Sequence, residues 1–249
     1  MAREAGYRTC SASVNGSADA EVLTGPPTHL RFNASVAVYL FDLDGTLVLT
    51  GGAGKRALDR AFLREYGIPE AMENVSPAGM TDQTIVCEAL RVHLGRGPRD
   101  GEVARALALY LSYLPEELAR STAFRILAGV PSVIDALLAD GHEVGLATGN
   151  LRDGARLKLE HAGVWDRFAF GGFADDSHDR PTLVRIAATR AARPAAPPQT
   201  FVVGDTPRDV AAAHAAGFVA IGVATGPYGA DALRDAGADR VIETLETLR

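Results

Sequence analysis

The apolar positions of this chain follow two rhythms. From Val36 the run Val36-Ala37-Val38-Tyr39-Leu40-Phe41 is short and continuous, as in a strand covered on both faces within a parallel sheet. From Lys55 the spacing turns helical. Lys55 to Tyr66 brings Leu58, Ala61, Phe62 and Tyr66 to one face and meets Gly67 as a stop. Thr81 is placed to cap a second helix with Ile85, Val86, Ala89, Leu90 and Leu94 inward and Gly95 at its end. A third runs from Gly101 to Leu114 along the stripe Val103, Leu107, Tyr110, Leu111 and Leu114. Residues 55–128 therefore read as all-helical.

After Gly129 short apolar runs alternate with helical segments. Strands are predicted at His142 to Thr148, Ala169 to Phe173, Thr200 to Val203, Val219 to Val223 and Arg240 to Ile242. Helices are predicted at Ser132 to Asp140, Arg152 to Ala162, Pro181 to about Arg193 and Pro207 to Ala216, with Ala191 to Pro198 a loop. The repeated unit predicts an α/β fold: a doubly wound, mostly parallel, Rossmann-like sheet with an inserted helical domain. The division is a core of 35–54 and 129–249 and a helical cap of 55–128. Residues 1–34, Ser-, Gly- and Pro-containing and without period, read as a flexible N-terminal extension.

With 249 residues, 47 % of them hydrophobic, the chain can bury such a core. The net charge of −6 carries no basic footprint for nucleic acid, so an anionic ligand needs local cations or a metal. Two distant cysteines, Cys10 and Cys87, and no membrane-length apolar run point to a reduced, cytoplasmic protein acting off the membrane, and the sequence leaves monomer or homodimer open.

Three predicted strands end in polar clusters: Asp42-Leu43-Asp44-Gly45-Thr46, Thr148-Gly149-Asn150 and Gly204-Asp205-Thr206-Pro207-Arg208-Asp209. Ligands of such sheets gather beyond the carboxyl ends of the strands. A carboxylate directly after an apolar run must be paired or metal-bound. Asp42, the Asp44 carbonyl and Asp205 would supply the incomplete hard-oxygen shell that Mg²⁺ prefers.

These motifs resemble those of the haloacid dehalogenase superfamily. Phe41-Asp42-Leu43-Asp44-Gly45-Thr46-Leu47 is similar to its first motif, Ala147-Thr148-Gly149-Asn150 to its second and Val203 to Asp209 to its fourth. The resemblance covers about residues 36–249 and includes the helical cap. It implies a Mg²⁺-dependent phosphatase, similar to phosphoglycolate phosphatases, that hydrolyses a small phosphorylated metabolite through an aspartyl-phosphate. The alternative it leaves is a phosphomutase of the β-phosphoglucomutase type. Asp42 would be the nucleophile and Asp44 the general acid/base; Thr148, Gly149 and Asn150 would hold phosphate. Asp205 would ligate the metal, supported by Asp209. The third motif is a basic residue, most often a Lys before Pro. Arg180 before Pro181 takes that place, and Lys158 is the alternative. Lys158 lies ten residues past Thr148, ~15 Å along a helix axis, which favours Arg180.

Overall fold

The computed structural model of the protein describes residues 36–248. The expected N-terminal extension and Cys10 lie outside them.

The first strand, β1 (Val38–Phe41), leads through a turn to the two-residue β2 (Val48–Leu49). Three helices follow, α1 (Ala53–Tyr66), α2 (Asp82–Leu94) and α3 (Glu102–Ala119), and the chain returns through β3 (Arg125–Ile126). The remainder alternates: α4 (Val130–Ala139), β4 (Glu143–Ala147), α5 (Arg152–His161), β5 (Phe170–Gly172), α6 (Arg180–Thr189), β6 (Thr200–Gly204), α7 (Pro207–Ala216), β7 (Val219–Val223), α8 (Ala230–Asp235) and β8 (Arg240–Ile242).

The six long-range strands form one parallel sheet in the order β5-β4-β1-β6-β7-β8. Strand β1 is central because both of its faces are apolar. Val38 and Leu40 join a cluster with Leu183, Val184, Val202 and Val210, whereas Phe41 packs on the opposite side with Ile134, Val144, Leu146 and Val203. A separate cluster built on Phe62, Val86, Leu90, Tyr110 and Leu114 holds α1 to α3 together, and Leu151 and Ala174 of the sheet side join it.

Several elements depart from expectation. Strand β3 falls inside the stretch read as all-helical. It pairs antiparallel with β2, Leu49 opposite Arg125, and two-residue strands are too short to show a period. The six-residue α8 was likewise invisible. Helix α3 runs past Leu114 and through Pro115, because Leu118 is buried and the Glu117 carboxylate is held by Arg56 and Arg60. Helix α6 stops at Thr189 instead of near Arg193, where the Arg190 side chain turns to pair with Asp176 and the Gly171 carbonyl. Leu94 is exposed rather than inward, being the last residue of α2 before the left-handed Gly95. Among the described residues no helix is long and apolar enough to cross a membrane.

Candidate active site

The sheet order brings Asp42 and Asp205 together. Asp42 follows directly on β1 and Asp205 directly on β6, and Phe41 pairs with Val203. The Asp42 N–H donates to the Val203 carbonyl at 2.9 Å, extending the ladder by one residue. Asp209 enters from the first turn of α7, where Thr206 and Asp209 form a reciprocal cap. Carboxylate oxygens of Asp42, Asp205 and Asp209 lie within 4.8 Å of one another, all three residues buried. Burial first, and then the charge of Asp209, hold the Asp42 carboxyl above the usual carboxylate range, against the opposing pull of Arg180. Burial and the charges of Asp42 and Asp209 push Asp205 up to about 8. Three buried carboxylates so close together form a hard-oxygen set whose mutual repulsion a divalent cation relieves, so the residues fit Mg²⁺.

Two glycines make room for this cluster. A Cβ on Gly45 would stand 2.2 Å from Asp205 Oδ2, and one on Gly226 only 1.6 Å from it. Gly45 also has φ +85°, in the left-handed region where other residues are strained. Thr46 Oγ1 donates to Asp205 Oδ1 at 3.3 Å.

Arg180, at the start of α6, reaches Asp42. Its Nη2 lies 3.7 Å from Asp42 Oδ2 and also donates to Asp209. Lys158, the alternative that the axial distance disfavours, arrives as well: its Nζ is 2.6 Å from both Asp44 Oδ2 and Asn150 Oδ1. Two physical reasons account for this. Helix α5 starts only at Arg152, so Lys158 is ~9 Å along it, and helical side chains lean toward the N-terminus. Its long stem closes the rest.

Asn150 completes the network by donating through Nδ2 to Asp44 Oδ2 at 2.9 Å and to Thr148 Oγ1 at 2.8 Å. The Asn150 side chain is therefore occupied in arranging its neighbours. Thr148 Oγ1 accepts and keeps its own hydrogen free among the described residues, as does the Gly149 N–H. Asp42 and Asp44 thus differ sharply. The Asp42 side chain is 8 % exposed among charges, and that of Asp44 is 43 % exposed.

The helical insertion closes over these loops. The Asp82 N–H donates to the Gly149 carbonyl at 2.7 Å, and Asp82 Oδ2 accepts from the Leu151 N–H at 2.8 Å. Gln83 Nε2 donates to the Ala174 carbonyl. Burial pushes the Asp82 carboxyl up to about 6, partly offset by Lys158. Sequence reasoning missed Asp82, whose place in the first turn after Thr81 reads as ordinary helix capping. Gly45 and Thr46 stand in the first polar cluster with no role of their own legible there, and Gly226 is not singled out at all, because their roles depend on a contact distant in sequence.

A parallel sheet with clustered aspartates at its carboxyl edge and a helical insertion over them defines a hydrolase class. Residues 39–223 match the haloacid dehalogenase-like hydrolase family model. Probable phosphatase IndB of Dickeya dadantii is 30 % identical over 83 % of this chain and 89 % of its own length. A phosphoglycolate phosphatase of Rhodospirillum rubrum is 28 % identical over 84 % and 88 % respectively. The crystal structure of a hydrolase from Pseudomonas syringae superposes with TM-score 0.68 at 24 % identity, covering 85 % of this chain and 95 % of that one. The chain belongs to the haloacid dehalogenase-like hydrolase family.

Proposed function

We propose that the chain is a Mg²⁺-assisted phosphatase that hydrolyses a small phosphate monoester through an aspartyl-phosphate on Asp42. The enzyme class is that of the phosphoric monoester hydrolases, in keeping with the family and its named phosphatase relatives. The observation that carries the reading is the pair Asp42 and Asp44, two residues apart on one turn and set in opposite environments. Divergent environments assign divergent roles to two carboxylates.

Asp42, Asp205 and the Asp44 carbonyl would hold Mg²⁺, with Asp209 beside them, and the ion would neutralise charge on the phosphoryl oxygens and the nucleophile. The Thr148 hydroxyl and the Gly149 N–H donate to phosphoryl oxygens. An Asp42 oxygen attacks phosphorus as the bond to the leaving oxygen breaks, and Asp44 gives that oxygen a proton. Asp44 then takes a proton from water as the water attacks the aspartyl-phosphate, which frees phosphate and restores Asp42. Arg180 offsets the negative charge gathered at Asp42, and Lys158 with Asn150 holds Asp44 Oδ2 so that Oδ1 faces the substrate.

Phosphate release from an aryl phosphate and a panel of phosphorylated metabolites, with Mg²⁺ and with excess chelator, tests the reading. Mg²⁺-dependent turnover that vanishes in Asp42→Asn, with an unchanged circular dichroism spectrum, is the expected result. Full turnover in chelator, or in Asp42→Asn, sinks it, and a requirement for a sugar bisphosphate activator marks a mutase instead.

A further inference from the structure

The side chain that delivers a proton to the leaving oxygen must come within hydrogen-bond reach of it, ~2.6–3.2 Å. The leaving group of any substrate therefore begins at Asp44. Asp44 lines a cavity of about 290 Å³ at the mouth of the site, walled by Leu49, Gly51, Gly52 and Arg125. That volume sits at the low end for ligand pockets and suits a leaving group of a few carbons. Gly51 and Gly52 have φ +59° and +80°, and a Cβ on Gly51 would stand 2.5 Å from Ser121 Oγ, so this wall turns in a way that favours glycine.

Arg125 is the cation of this lining. It is held on β3 opposite Leu49, on a ladder rather than a free loop. Its exposed side chain has no hydrogen bond or ion pair among the described residues. The neighbouring Arg56 is by contrast committed, to Glu117 and to the Gly51 carbonyl. An uncommitted arginine in the lining of a small pocket, in a protein of net charge −6, marks where a second anionic group is met. One guanidinium matches the single charge of a carboxylate. A second phosphoryl group would bring about two charges, leaving one uncompensated beside Asp44.

We propose that Arg125 is a specificity-determining residue that binds a carboxylate on the leaving group, so that the preferred substrates are small phosphorylated hydroxy acids. The assignment rests on the phosphatase reading above. Its test compares kcat and KM for 2-phosphoglycolate and ethyl phosphate, which differ in the carboxylate, in the wild type, Arg125→Met and Arg125→Lys, with p-nitrophenyl phosphate as a general reporter of phosphatase activity. The wild type is expected to prefer phosphoglycolate at least tenfold in kcat/KM. Arg125→Met lowers that preference at least tenfold, mostly through KM, and Arg125→Lys restores part of it. A preference that stays within twofold of wild type in Arg125→Met, or a wild type with no preference, overturns the role of Arg125 while aryl phosphate turnover leaves the phosphatase reading standing. No release from any of the three substrates by the wild type overturns both.

Discussion

Lys158 and Asp44 stand 114 residues apart in sequence, and their Nζ and Oδ2 atoms are 2.6 Å apart. A buried ammonium thus holds the half-exposed carboxylate that is proposed to move protons, while Arg180 stands at Asp42, the proposed nucleophile. The site has two fixed cations with separate charges to manage.

Both Lys158→Ala and Arg180→Ala are therefore expected to be severe, each losing ~10²-fold or more in kcat/KM. They are expected to differ by substrate. Lys158 acts through Asp44, so its loss weighs more on alkyl phosphates, whose leaving oxygen needs a proton, than on aryl phosphates. Arg180 acts on charge at Asp42, so its loss is the same for both. Steady-state kinetics on one substrate of each kind checks this. A Lys158→Ala enzyme near wild type on alkyl phosphates refutes the role given to the pair.

Arg180→Lys is expected to recover only part of the Arg180→Ala loss. A single nitrogen, Nη2, serves Asp42 and Asp209 at once from the end of the rigid guanidinium, and the compact, strongly hydrated ammonium of lysine sits on a different stem and keeps the charge without that placement. Full recovery of kcat/KM would show that charge alone matters there.

Metal-free stability is expected to fall as pH rises. The folded-state carboxyls of Asp42, Asp205 and Asp82 all titrate above the ordinary value of 3.8, Asp82 at about 6 and Asp205 at about 8. Raised groups of this sign stabilise fully below the unfolded value and lose that stabilisation as pH climbs through the folded one. A single carboxyl held about two units up, as Asp82 is, accounts for on the order of 3 kcal/mol. The thermal midpoint in chelator is expected to drop by several degrees between about pH 4 and pH 8, and excess Mg²⁺ to raise it most at the alkaline end. A flat or rising profile in chelator contradicts the burial of these groups as acids.

Gly149→Ala tests how tightly the insertion sits on the sheet edge. The new Cβ would lie 2.3 Å from the Met80 carbonyl oxygen and 3.0 Å from Arg180 Nη1. Backbone cannot yield as a side-chain tip can, so the loop of α2 has to retreat. Activity is expected to fall at least tenfold, and the Leu151 N–H, which Asp82 accepts, to exchange faster with deuterium. Unchanged exchange at Leu151 would mean that the contact adjusts locally.

Much of this was legible in the sequence because the controlling signals were local. An apolar run that ends in Asp42 or Asp205 declares a strand and its functional end together, and Gly67, Gly95 and Gly217 stop helices where expected. What escaped was set by distance in space. The reach of Lys158 depends on where α5 begins and which way its side chains lean. The Asp82 contact depends on how the insertion folds back over Gly149. Ribbon β2–β3 is two residues long on each side, below any period, and with it went the position of Arg125.

The same ribbon has an architectural consequence. Leu49 and Arg125 are ladder partners, so the segment between them leaves and re-enters the sheet domain at one point. A guest joined at a single doorway makes little topological demand on its host. A short hairpin turn would join the same two strands, and a longer or different helical module could be grafted in its place without disturbing the order of the six-stranded sheet. The covalent path of the sheet is thereby independent of what the guest contains, and only contacts such as those of Asp82 with Gly149 and Leu151 tie the guest to the sheet's edge.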